Sequence, residues 1–165
     1  MEYRPGRPED LDSIVSLVQA AIAEMERRGI HQWDEVYPAR ADFALDIEKE
    51  TLYMALSNDV PVGIYVISTE ADEAYKKVAW KQADDRACIL HRLCVLPTVQ
   101  NQGVGYEIMQ HVEEQAKAMG YTSLRLDVFT DNPFSNRLYE KCGYEKRGYA
   151  DWRKGRFWLM EKIFC

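Results

Sequence analysis

Two short runs of residues carry the chemistry that can be read in this chain. Leu90-His91-Arg92-Leu93-Cys94-Val95-Leu96-Pro97 reads as a buried strand, and Gln100-Asn101-Gln102-Gly103-Val104-Gly105 comes next as a tight polar loop with two glycines. An amphipathic helix then begins at the glycines. The first N–H groups of a helix have no acceptor inside it, and glycine lets a ligand come close to them, so the turn is a ready anion site. The pattern predicts a phosphate-bearing cofactor.

Three glycine-loop readings compete for that turn. A P-loop needs GxxxxGK[ST], which the chain does not supply. A dinucleotide fold needs GxGxxG, which would put glycine at the position of Ile108. Asp127, at the end of the next strand, does mimic the acidic residue of that fold. However, only one such unit is present, and the stretch from Val95 to Gly103 is too long for its usual turn.

The third reading joins the turn to a second run. Gln100-Asn101-Gln102-Gly103-Val104-Gly105 resembles the Q/R-x-x-G-x-G/A signature of the GCN5-related N-acetyltransferase (GNAT) superfamily. Asn132-Pro133-Phe134-Ser135-Asn136-Arg137-Leu138-Tyr139-Glu140-Lys141-Cys142-Gly143-Tyr144 resembles that superfamily's N-x-x-A-x-x-L-Y-E-K-x-G-F segment. The resemblance covers residues 86–149 closely and the rest through the order of elements. Two departures occur. Asn101 stands where glycine is common, and Asn is the next most tolerant residue of left-handed backbone. Ser135 stands for alanine, one small residue for another.

The resemblance implies acetyl-CoA as donor and a primary amine as acceptor; membership alone does not choose the acceptor, which is expected to be a small molecule, and no metal is expected. It implies cofactor contacts from Leu93, Cys94 and Val95 on the strand, and from Gln100, Asn101, Gln102, Gly103, Val104, Gly105 and Tyr106 at the turn. Asn132, Ser135, Asn136 and Tyr139 complete that set, although Asn132, directly before Pro133, reads more strongly as a helix cap. The backbone N–H near Val95 would face the thioester carbonyl, where charge develops. Tyr139 falls at the general-acid position, and a reference pKa of about 10 keeps it protonated at neutral pH. A tyrosine that packs its ring on the sheet is the alternative.

An attacking amine must also lose a proton. Leu90-His91-Arg92-Leu93-Cys94-Val95 is similar to the L-H-x-L-x-V strand of arylalkylamine N-acetyltransferases, which makes His91 the leading proton acceptor. Strand alternation places it on the face of Leu93 and Val95. A histidine that bonds within the sheet is the other reading, and relays ending at Glu24, Glu35 or Glu70 are open. His111 reads as structural. For the acceptor site the candidates are Trp33 and Tyr37, with Tyr65, Trp152 and Trp158 as further aromatics and His31 nearby. Aromatics belong more often to the core.

These residues need elements to hold them. A first strand near Glu2-Tyr3-Arg4 precedes a helix opened by Pro8-Glu9-Asp10, with Leu11, Ile14, Val15, Leu17, Val18, Ala21, Ile22 and Met25 at helical spacing and Gly29 as its stop. A short helix over 42–50 comes next. Strands over 51–56 and 62–68 are joined by a turn at Ser57-Asn58-Asp59. The segment 69–85 is charged and irregular, of the kind that is often functional or mobile. A strand over 86–95, a helix over 103–119 capped by Gly120, a strand over 123–128, a helix over 133–141 and strands near 144–149 and 156–163 complete the chain. The fold class is α/β: the GNAT (acyl-CoA N-acyltransferase) fold, a mixed, mostly antiparallel sheet of about seven strands with helices on both faces.

The 165 residues suit a single domain, 1–165, and 47% hydrophobic with 29% charged residues is ordinary for a soluble globular chain. Cys88, Cys94, Cys142 and Cys165 have no metal-type spacing and fit a reducing compartment. With no secretion signal and no membrane-length apolar run, a cytoplasmic location is expected. The net charge of −6 argues against nucleic acid as a partner. An exposed sheet edge leaves a homodimer open. Transfer is expected to be direct, since no activated nucleophile is evident. The rival functions are a peptide or protein N-acetyltransferase and a non-catalytic acyl-CoA sensor.

Overall fold

The structure is a computed structural model, and it describes residues 1–164; Cys165 lies outside the described residues. Seven strands lie in the order β1-β2-β3-β4-β5-β7-β6. They are β1 (Glu2–Pro5), β2 (Leu52–Ser57), β3 (Val60–Ser68), β4 (Ala87–Val95), β5 (Ser123–Phe129), β6 (Glu145–Trp152) and β7 (Gly155–Ile163). The helices are α1 (Leu11–Arg27), α2 (Arg40–Glu48), α3 (Val104–Ala118) and α4 (Pro133–Lys141). β4 and β5 run parallel, whereas β1–β2, β2–β3, β5–β7 and β6–β7 are antiparallel. No helix among the described residues is long and apolar enough to cross a membrane.

The chain forms two compact units, one of residues 1–66 with 92–108 and one of 67–91 with 109–165. In the first, the apolar stripe of α1 buries Ile14, Leu17, Val18 and Ala21 against Phe43, Leu52, Met54, Ile64 and Val66. Gly29, at φ 75°, ends the helix, and the Ile30 amide reaches back to the Met25 carbonyl at 2.8 Å. α2 begins two residues earlier than the pattern suggested because the Asp42 carboxylate accepts the Ala39 amide at 2.7 Å. The β2–β3 hairpin turns on Asn58 and Asp59, both left-handed at φ 49° and 65°, as a two-residue turn that matches strand twist requires. Gly63 sits where a Cβ would come within 2.7 Å of Ile108 Cδ1 and 3.2 Å of the Cys94 carbonyl, so a larger residue would force the Ile108 side chain to shift and crowd that carbonyl.

In the second unit β7 lies between β5 and β6, and Tyr75, Ile89, Ala150 and Leu159 form a core cluster. β6 runs on to Trp152, beyond the strand expected near 144–149, because its pairing with β7 continues to Trp152 opposite Gly155. The charged segment 69–86 is pinned rather than loose. Glu161 of β7 has no exposed side-chain surface, and its carboxylate accepts the Lys81 amide at 3.0 Å, the Gln82 amide at 3.2 Å and Arg147 Nε at 3.1 Å. Arg125 Nε stands 3.8 Å from the same carboxylate, while its Nη2 donates to the Gln82 carbonyl at 2.6 Å. Earlier in the segment, buried Tyr75 donates to Asp127 Oδ2 at 2.7 Å. Trp80 Nε1 donates to the Tyr75 carbonyl at 2.8 Å.

Two measurements check this packing. Glu161→Gln removes the charge that offsets Arg125 and Arg147, and should cost about 3 kcal/mol in urea unfolding. Burial pushes the thiols of Cys88 and Cys94 up to about 12 and that of Cys142 up to about 11. Because the folded values are raised, their contribution to stability is full below the ordinary thiol range and falls as pH climbs through it. In a Cys165→Ser variant, a thiol-specific reagent at about pH 8 should therefore label nothing in the native protein and three thiols after denaturation.

Candidate active site

Strand β4 pairs with β5 over only part of its length. It is nine residues long, yet its parallel ladder with β5 covers only Ala87–Ser123, Cys88–Leu124 and Ile89–Arg125. The strand therefore continues past the end of that ladder, through His91 to Val95. Arg92 interrupts it with a left-handed φ of 50°. This corrects the simple alternation argument: a left-handed residue between His91 and Leu93 breaks the two-residue repeat, so spacing alone does not give His91, Leu93 and Val95 a shared face.

The first unit holds the anion turn. Pro97–Val99 form a 3₁₀ turn, and the Gln100 side chain folds back so that its Nε2 donates to the Val95 carbonyl at 3.0 Å. Gln102 Nε2 reaches the Thr98 carbonyl at 3.3 Å. Asn101 at φ 64° and Gly103 at φ 80° are both left-handed. The substitution of Asn for a commonly seen glycine thus falls on a position that needs this geometry. The first bond into α3 runs from the Glu107 amide to the Gly103 carbonyl at 3.0 Å, so the amides of Val104 and Gly105 precede any intrahelical acceptor. A Cβ built on Gly103 would meet nothing within 4 Å, so the mouth of the turn is open. Tyr106 and Asn101 are exposed; Cys94 is buried among Ile14, Met54 and Val66 and acts as a core residue.

The second unit holds the residues of the Asn132–Tyr144 run. Asn132 is 6% exposed and caps α4, its Oδ1 accepting the Phe134 and Ser135 amides, each at 3.2 Å. Asn136 Nδ2 donates to the carbonyls of Phe129 at 2.9 Å and Asn132 at 2.7 Å. Both amides thus spend themselves on fixing α4, and Ser135 is half-buried beside them. Tyr139 is carried on this helix, 7% exposed, with its ring edge-on to Tyr144 at 6.0 Å. Burial, with the Asp127 charge adding to it, pushes the Tyr139 hydroxyl well above its ordinary value of 10. It stays protonated throughout the neutral range.

His91 Nε2 lies 3.1 Å from the Glu70 carbonyl oxygen. A carbonyl only accepts, so Nε2 carries the hydrogen and Nδ1 the lone pair of the neutral ring. Glu24 is shared by Arg27 and Arg28 at 2.6 and 2.7 Å, and these bonds push its pKa down to about 2, which removes it as a proton acceptor at neutral pH. His31 is exposed and meets Glu26 at 2.9 Å. Of the aromatic candidates, Trp33 is 8% exposed within the first core, and Tyr65 is fully buried and stacks on Tyr53 at 5.5 Å. Trp152 packs on Phe157 at 5.0 Å, and Lys146 sits over the Trp158 ring at 4.5 Å. Tyr37 alone of Trp33 and Tyr37 is well exposed, at 40%.

Two residues with no signal in the sequence join this neighbourhood. Asp46, 5% exposed on α2, receives both ends of the Arg92 guanidinium, and Arg92 Nη1 donates to Tyr37 Oη at 2.8 Å. Neither Asp46 nor Arg92 belongs to a motif, and their partnership spans 46 positions.

Known proteins share this architecture. The family model described as the acetyltransferase (GNAT) family matches residues 21–144. The chain is 26% identical over 147 residues to an uncharacterized N-acetyltransferase, YesJ, of Bacillus subtilis (strain 168), covering 87% of this chain and 81% of that protein. A GNAT-family acetyltransferase structure from Streptococcus agalactiae 2603 superposes with a TM-score of 0.88 at 22% identity, over 98% of this chain and 94% of the other. The PaiA N-acetyltransferase of Thermoplasma acidophilum, solved in complex with coenzyme A, gives a TM-score of 0.73 at 18% identity, over 99% and 98% of the two chains. The match over most of its length, on a seven-stranded sheet with the anion turn ahead of α3, means that this chain belongs to the GNAT family and is an acetyl-CoA-dependent N-acetyltransferase.

Proposed function

We propose that the enzyme transfers the acetyl group of acetyl-CoA directly to the primary amine of a small molecule. The observation that carries the reading is the left-handed pair Asn101 and Gly103 directly ahead of α3, an open turn suited to a diphosphate. Coenzyme A in the Thermoplasma acidophilum structure supports that cosubstrate. Leu93, Cys94, Val95, the turn Gln100–Gly105 and Tyr106 would hold it, chiefly through backbone. Asn132, Ser135 and Asn136 would contribute by setting α4. An overall charge of −6 draws cationic amines, which favours a small positively charged acceptor beside Tyr37, whereas Trp33, expected at the acceptor site, belongs to the first core.

Acetyl-CoA supplies an acetyl thioester, whose carbonyl carbon receives the amine nitrogen as its carbon–sulfur bond breaks. The chain's own groups then have three tasks. The Val95 N–H offers a fixed donor to the carbonyl oxygen as charge gathers there. The Nδ1 of neutral His91 takes the proton the amine must lose. Tyr139 gives its hydroxyl hydrogen bond to the departing sulfur. With its pKa raised, Tyr139 acts best as a persistent donor and does not ionise on its own. The reaction runs in the reducing interior of the cell as a single displacement.

Screening purified enzyme with acetyl-CoA against small amines grouped by charge, beside N-terminal peptides, tests the acceptor. Release of free CoA thiol should be fastest with small cationic amines. Faster turnover of peptides would replace the acceptor class, and acetyl-CoA binding with no turnover on any amine would leave a sensor. In the same assay Tyr139→Phe should lower kcat about 100-fold with acetyl-CoA affinity little changed. Wild-type activity should show no loss from tyrosine ionisation up to about pH 10.

The turn makes a separate prediction. Gly103→Val forces a branched residue into φ 80°, and should weaken acetyl-CoA binding tenfold or more by calorimetry, on the order of 1.4 kcal/mol. Asn101→Gly should leave the affinity near wild type.

A further inference from the structure

Arg92 breaks a local rule of strands. It is a non-glycine residue at φ 50° inside β4, a backbone form that long side chains take only under steric strain. Such a residue inside a strand marks a bulge, which re-aims the residues beyond it. The side chain is gripped from two other elements. Nε and Nη2 donate to the two oxygens of Asp46 at 2.8 and 2.6 Å, and Nη1 donates to Tyr37 Oη at 2.8 Å. The pair is mostly removed from water, with side-chain exposures of 16% for Arg92 and 8% for Asp46. Forked pairs of this kind are stiff as well as strong. Asp46 itself cannot drift, because Phe43 and Ile47 on the same helix are buried in the first core. Directly after Arg92 come Leu93, Cys94 and Val95.

We infer that Arg92 is a positioning residue: its clamp to Asp46 and Tyr37 holds the β4 bulge in the left-handed form that aims the Leu93–Val95 backbone at acetyl-CoA. This rests on the reading of that segment as cofactor-binding. The clamp also ties the segment that bears Tyr37, a candidate acceptor contact, to the strand that orients the donor. Lysine would not replace arginine, since a single ammonium cannot span both carboxylate oxygens and the phenol in one plane.

The test uses the full chain with Arg92→Ala, Arg92→Gly, Arg92→Lys and Asp46→Asn. The readouts are kcat and the acetyl-CoA KM, together with amide exchange at Leu93–Val95. Arg92→Ala, Arg92→Lys and Asp46→Asn should each lower kcat/KM roughly tenfold or more and speed exchange at those three amides. Arg92→Gly should recover part of the alanine loss, because glycine takes the same φ without strain. The Arg92→Ala/Asp46→Asn double variant should be no worse than the poorer single. A side chain that only stabilised the fold would lower Tm while leaving kcat, KM and local exchange in the folded enzyme unchanged. That pattern overturns the proposal, as does an additive double variant or a glycine variant no better than alanine. If the wild type neither binds nor turns over acetyl-CoA, the cofactor reading fails, and exchange at Leu93–Val95 still decides whether the clamp holds the bulge.

Discussion

Backbone N–H and C=O groups withdrawn from water must be partnered, and β4 meets that requirement against β5 over only part of its length. The strand is nine residues long but shares only three ladder pairs with β5. Its later residues run on into a left-handed break at Arg92 and then into the anion turn. The Gln100 side chain, tied to the Val95 carbonyl, fixes the spacing between strand end and turn.

Much of this was legible in the residues themselves. The stripe of α1, the stop at Gly29, the Asn58-Asp59 hairpin and the α3 start all come from local periodicity and turn chemistry, and all lie where those rules put them. Even the departure at Asn101 is explained by its left-handed φ of 64°. The features that were not legible are held by partners distant in sequence. The Arg92–Asp46 pair, the Tyr75–Asp127 bond and the Glu161 cluster span 46, 52 and about 80 positions, and no local pattern announces such a meeting. Alternation alone does not decide the face of His91 relative to Leu93 and Val95, since the left-handed Arg92 interrupts the two-residue repeat.

The titratable groups are tuned by burial more than by charge pairs. Tyr139 and Tyr144 are buried, and desolvation leads the causes that raise both hydroxyls. Glu24, half-buried and doubly paired, is pushed the other way. The contact between His91 and the Glu70 carbonyl selects the tautomer with its hydrogen on Nε2. The proposed proton donor and proton acceptor are thus set by quite different means, the first by removal of water and the second by one backbone oxygen.

The last strand in the sheet order, β6, carries a register shift between Lys146 and Gly148. Gly148 lies against the Val78 methyls, where an added Cβ would come within 3.0 Å. A kinked border strand, flanked by cations and overlaid by a neighbouring segment, offers no flat template for another chain to zip onto. At this end the sheet is self-terminating, which protects a strand-rich molecule from growing sideways into fibrous stacks.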